Sequence, residues 1–77
     1  NLEITAEILR IAEKGAKKTH IVYEANLNFA FLKHYLDNLE ERGLITRNVE
    51  SGNMVKTTQK GLLFLQRYGG LLNLVSE

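Results

Sequence analysis

The side chains of this 77-residue chain that could do chemistry are two histidines, nine carboxylates, ten cations and three tyrosines, with no cysteine. His20 and His34 fall on different expected helices, without a Cys companion or a His-x-x-x-His spacing, so they do not form a closed zinc site. Glu40 and Glu41 are consecutive, hence on different helix azimuths, and do not make an acid/base pair. Tyr23 and Tyr35 suit the amphipathic edge of a core better than catalysis. There is no Gly-rich phosphate loop, no thiol nucleophile, and no Ser or Thr with an evident His and acid partner. The expectation is a non-enzyme without cofactor, metal or small-molecule ligand.

The cations are the informative set. A formal net charge of +1 does not announce a nucleic-acid binder, so their placement has to carry the reading. Lys17, Lys18 and His20 cluster where a short helix would begin, and its free amides favour an anion there. Lys33 and His34 lie on the outer face of a longer helix, and Arg47 and Lys56 on the two strands of a hairpin. Lys17, Lys18, Arg47 and Lys56, flanking that longer helix, are expected to position phosphates, with the hairpin pair on the backbone or in the minor groove. The longer helix is framed by Asn28 as N-cap, Leu27 and Leu32 as a hydrophobic staple, and Gly43 as terminator. Phe29, Leu32, Leu36 and Leu39 form its expected buried stripe. Ala30, Lys33, His34, Asp37, Asn38 and Glu41 face outward. Asn28, Ala30, Phe31, Lys33 and His34, on its first two turns, are the candidate base readers. Ala30 or Phe31 can touch a thymine methyl, and Lys33 a guanine or a phosphate. Asp37, Glu40 and Glu41 confine that role to the first two turns.

Other elements must present this helix. Asn1 caps a first helix, with Ile4, Ile8, Leu9, Ile11 and Ala12 as its core face and Gly15 as its end. Ala16 to Thr19 reads as a polar connection. Thr19 then caps a second helix over about 20–25 that buries Ile21, Val22 and Ala25. Asn26-Leu27 is the turn of a helix-turn-helix spanning about 20–42. Leu44–Asn48 and Asn53–Thr57 flank Val49–Gly52 as a hairpin over about 44–57, placed as a wing. Thr58 caps a last helix over 58–77, beyond a core of 1–61. That helix carries two apolar stripes, Leu65, Tyr68, Leu72 and Val75 on one, and Phe64, Leu71 and Leu74 on the other. One can pack on the domain and the other needs a partner. A small cysteine-free domain gains by association, so a homodimer is expected. Gly69-Gly70 either kinks or ends the helix, or packs against another backbone. The chain opens at Asn1 rather than Met, as a trimmed or processed chain would, with no signal-peptide pattern and no run near the roughly 18 apolar residues of a membrane span. The expected location is the cytoplasm.

Helix, helix-turn-helix, wing and long terminal helix in that order resemble a winged-helix domain, of the α+β, mainly α class. More closely, the chain resembles the small archaeal winged-helix DNA-binding proteins typified by the Sulfolobus ten-kilodalton "a" chromatin-associated protein. Leu2-Glu3-Ile4, the run Lys18 to Asn28, and Thr58-Gln59-Lys60-Gly61 carry that resemblance. It implies binding of double-stranded DNA as a transcription regulator or nucleoid-associated factor. It also implies a homodimer through the C-terminal helix, to which Phe64, Leu65, Tyr68, Leu71, Leu72 and Val75 are assigned. The Gly69-Gly70 pair departs from the pattern. The alternative is a winged helix used for protein–protein interaction, which the near-neutral charge favours.

Overall fold

Asn1 opens the first helix as its composition demands: its side-chain oxygen accepts from the Ile4 amide at 2.9 Å. A computed structural model describes residues 1–75 of the chain; positions 76 and 77, the end of the expected last helix, lie outside the described residues. Helix α1 runs Leu2–Ile11, α2 Lys18–Ala25 and α3 Phe29–Glu41. Strands β1 (Ile45–Asn48) and β2 (Met54–Thr57) follow, joined through a 3₁₀ turn at Val49–Ser51, and α4 (Gln59–Val75) ends the chain. The class is α+β, mainly helical, with one antiparallel hairpin in the register Ile45↔Thr57 to Asn48↔Met54.

The core is built from one face of each helix and the inner face of the hairpin. Ile8, Leu9, Ala12, Ile21, Leu32, Leu36, Leu39, Leu44, Ile45 and Val55 are all buried in one cluster. Burying each of the larger side chains stabilises by about 1.5–3 kcal/mol relative to leaving it in water. Ala6, which lay outside the expected α1 face, is also fully buried.

The structure refines the sequence reading at four points. Ala16 to Thr19 is not a plain connection. Ala16 exchanges two backbone hydrogen bonds of 2.8 Å with Val55, adding an isolated bridge to the hairpin. The helix after it starts at Lys18, with Lys17 at the N-cap and no side-chain cap, so Thr19 lies inside the first turn and does not cap it. Phe29 does not join the buried stripe of α3; it is 55% exposed. It is the first residue of the helix, ahead of the point at which the stripe turns onto the core. Gly69-Gly70 does not end α4, which is continuous to Val75.

Helix α3 is closed at both ends by the chemistry expected of it. Asn28 accepts from the Phe31 amide at 2.7 Å. At the other end Gly43 takes φ +77°. The Gly43 amide donates to Glu40 and the Leu44 amide to Leu39, a Schellman closure with Leu39 and Leu44 both in the core. Asn26, at φ 57° and ψ 49°, ends α2 in the left-handed region and makes the turn into α3.

The start of α4 is tied to the end of α3. Thr58 Oγ1 accepts from the Gly61 amide at 3.1 Å, capping α4, and donates to the Gly43 carbonyl at 2.6 Å. Lys60 Nζ donates to the Arg42 carbonyl at 2.8 Å. The neighbouring Thr57 is buried, and its hydroxyl donates to the Leu9 carbonyl at 2.6 Å, while its amide donates to Ala12. One pair of threonines thus satisfies backbone carbonyls at the ends of two helices, groups that burial would otherwise make costly.

Candidate nucleic-acid interface

The first two turns of α3 stand clear of the core. Asn28, Ala30, Phe31, Lys33 and His34 are all exposed, while Leu32 and Leu36 anchor the opposite side. The fold therefore brings these five together on one accessible surface. Phe31 packs edge-on against Tyr35, with ring centroids 5.1 Å apart and planes at 73°, which braces a large exposed aromatic in place. The Asn28 carbonyl oxygen is used by the cap, leaving its amide NH₂ as the end that can donate outward.

Lys17 and Lys18 meet α3 through a shallow cleft that also includes Thr19, Phe29, Gly52 and Asn53. The start of α2, the start of α3 and the tip of the hairpin thus converge. Phe29 belongs to this surface, and sequence reasoning placed it in the core. The signal that could have corrected this is its position at the first residue after the cap, where a helix has not yet turned inward. His20 is exposed one turn along α2, with its Nε2 3.9 Å from the Glu24 carboxylate. It has no metal-binding company: among the described residues no group of three His, Asp or Glu side chains could hold an ion.

The hairpin cations separate. Cross-strand neighbours share a face and alternate residues change face. Ile45, Arg47, Val55 and Thr57 therefore lie on the inner side, and Thr46, Asn48, Met54 and Lys56 on the outer. Lys56 is exposed and forms no ion pair with a described residue. Arg47 points the other way, into α3. Its Nη2 donates to Glu40 Oε1 at 2.6 Å and to Asp37 Oδ1 at 2.8 Å, and its Nε donates to Glu40 at 3.1 Å. Only 19% of the Arg47 side chain is exposed. Asp37 Oδ2 in turn accepts from Lys33 Nζ at 3.0 Å.

This network shifts both of its central groups. Hydrogen bonds from Arg47 and then Lys33 hold the Asp37 carboxyl below its ordinary range. Hydrogen bonds to Glu40 and then Asp37 push the Arg47 guanidinium above its own. The Lys and Arg side chains expected at the interface are thus not equivalent. Lys17, Lys18 and Lys56 are unpaired among the described residues, Lys33 shares Asp37, and Arg47 is fully engaged. The strand alternation of Ile45-Thr46-Arg47-Asn48 carried the signal, since it puts Arg47 on the side of Ile45.

The residues assigned to dimerisation also divide. Phe64 and Leu65 are half-buried against this domain's own core, and Tyr68 is half-buried with its ring stacked on Phe64 at 6.0 Å. Leu71, Leu72 and Val75 are exposed, as is Leu74. The helix is divided along its axis, not into two lengthwise stripes. Its near half packs on the domain and its far half projects, giving the molecule extents of 42 × 24 × 19 Å. No helix among the described residues is long and apolar enough to cross a membrane.

Comparison with known proteins agrees with this architecture. An uncharacterized protein of Methanocaldococcus jannaschii is 36% identical to the chain over 59 residues, covering 75% of the chain and 61% of that protein. The chain thus spans less than two thirds of that relative's length. A family model described as winged helix-turn-helix matches residues 1–76. With α2 and α3 as the helix-turn-helix and the β1–β2 hairpin as the wing, the chain belongs to the winged helix-turn-helix family.

Proposed function

We propose that this protein binds double-stranded DNA, with the first two turns of α3 in the major groove. The observation that carries the reading is the exposed surface of Asn28, Ala30, Phe31, Lys33 and His34 at the free end of a helix whose other face is core. In a helix-turn-helix that end of the second helix reaches base edges. Lys17, Lys18 and His20 at the start of α2, and Lys56 on the outer face of the wing, supply phosphate contacts that fix register. Arg47, engaged with α3, is removed from that set. The role is that of a transcription regulator or chromatin-associated factor in an archaeal cytoplasm, within the group of small proteins typified by the Sulfolobus one. The relative from Methanocaldococcus jannaschii supports the archaeal setting.

Anisotropy titration of a labelled duplex tests the groove contact. Lys33→Ala is expected to weaken binding by about tenfold, the size of one good base or phosphate contact. Unchanged affinity would remove Lys33 from the interface, and a wild type that binds no duplex would favour the protein-interaction alternative.

The protein acts as a homodimer joined through the far half of α4. Leu71, Leu72, Leu74 and Val75 are all exposed large apolar side chains at the far end of the described helix. Sedimentation at tens of micromolar should return a dimer mass, and Leu72→Glu a monomer that still unfolds cooperatively, at a Tm lowered by the lost association. A monomeric wild type at that concentration rules the dimer out.

A further inference from the structure

One line of side chains along α3 runs Ala30, Lys33, Asp37 and Glu40, at steps of three, four and three, so the four stand one above another. It begins with the cation assigned to the groove and continues into two carboxylates. Left alone, those carboxylates share an azimuth with Lys33 and repel the phosphates it approaches. Arg47 answers both, donating to Glu40 at 2.6 Å and Asp37 at 2.8 Å from the inner face of the wing. Asp37 is divided: one oxygen takes Arg47 and the other takes Lys33 at 3.0 Å. Without the guanidinium, both Asp37 oxygens are free to compete with DNA for the Lys33 ammonium.

We propose that Arg47 is a positioning residue for DNA binding, which touches no phosphate but neutralises Asp37 and Glu40 and limits the hold of Asp37 on Lys33. This inference rests on the DNA-binding reading above. It assigns Arg47 a different part from a wing cation: a phosphate contact adds to the count of released counterions, whereas an internal neutraliser does not.

The test uses the full chain and a labelled mixed-sequence duplex of about 20 base pairs, a length that seats a dimer on two half-sites one turn apart. Affinity is measured over a salt series for wild type, Arg47→Gln, and Arg47→Gln combined with Asp37→Asn and Glu40→Gln. Circular dichroism melts accompany each variant. Arg47→Gln should weaken binding about tenfold, from like-charge repulsion and the cost of drawing Lys33 away from Asp37, with the salt slope unchanged because Lys33 still reaches its phosphate in the complex. The triple variant should return to within about threefold of wild type, because nothing remains to neutralise. Arg47→Gln combined with Glu3→Gln and Glu13→Gln has the same net charge as the triple variant but should stay weak. A salt slope reduced by about 0.9 in Arg47→Gln makes Arg47 a phosphate contact and overturns the proposal. A triple variant as weak as the single one overturns it too, leaving Arg47 as a fastener of the wing. Binding by wild type without rescue therefore defeats this inference alone, whereas a wild type that binds no duplex defeats the DNA reading and the inference with it.

Discussion

Gly61→Ala should lower the stability of the domain by about 3 kcal/mol, a drop in Tm of more than about 10 °C for a chain of this size. Gly61 is buried in the first turn of α4, where a Cβ would run into the Leu44 carbonyl oxygen and come within 2.5 Å of Thr57 Cγ2. Neither neighbour can yield cheaply. The Leu44 carbonyl accepts from the Thr58 amide at 3.0 Å, and the Thr57 side chain is held by its bond to Leu9. Alanine is the better helix former by about 1 kcal/mol, which offsets only part of the collision. Gly69→Ala and Gly70→Ala are the internal controls. A Cβ at either meets nothing within 4 Å, so the same substitution there should be neutral or stabilise by up to about 1 kcal/mol. Thermal melts of the three variants decide the matter; equal behaviour at positions 61 and 69 would mean that α4 does not press on Leu44 as described.

Duplex affinity should fall about 150-fold between 50 and 200 mM salt, the consequence of a slope near −3.6 for four phosphate contacts. The four are Lys17, Lys18, Lys33 and Lys56, all exposed or partly so and none taken up as Arg47 is. Lys17→Ala with Lys18→Ala should halve the slope to about −1.8, because two counterions fewer are released. A wild-type slope near zero would remove phosphate contact altogether. A steep slope that the double variant leaves unchanged would move the contacts away from the start of α2.

The helices, and every cap but that of α2, were legible because each is written in short-range chemistry. Asn1, Asn28 and Thr58 cap as their side chains require, and Gly43 and Asn26 take the left-handed positions those residues tolerate. Less legible were features that depend on residues far apart in the chain. The bridge between Ala16 and Val55 joins a loop to a strand that begins 38 positions later, and nothing local in Ala16-Lys17-Lys18-Thr19 announces it. The acidic half of α3 read as a solvated tail, whereas Asp37 and Glu40 have a specific partner on β1. That pairing needed the strand's inner face to be assigned before its charges were counted. Phe29 illustrates the opposite difficulty: its spacing to Leu32 fits the buried period, but helix geometry at the first residue overrides the pattern.

The joint between α3 and α4 also makes the molecule a bent lever. Thr58 and Lys60 bond to the Gly43 and Arg42 carbonyls, and Gly61 lets the two backbones touch, so the reading helix and the projecting helix cannot swivel independently. At 1.5 Å per residue, the 17 residues of α4 make an arm of about 25 Å. In a dimer clasped near its far end, the length and phase of that arm set the distance and rotation between the two α3 helices. Deleting one turn of α4 would shorten each arm by about 5.4 Å while nearly preserving its azimuth, whereas deleting two residues would swing one reading head through more than half a circle about the α4 axis. On the proposed dimer, the preferred separation of DNA half-sites would be geared to the length of α4.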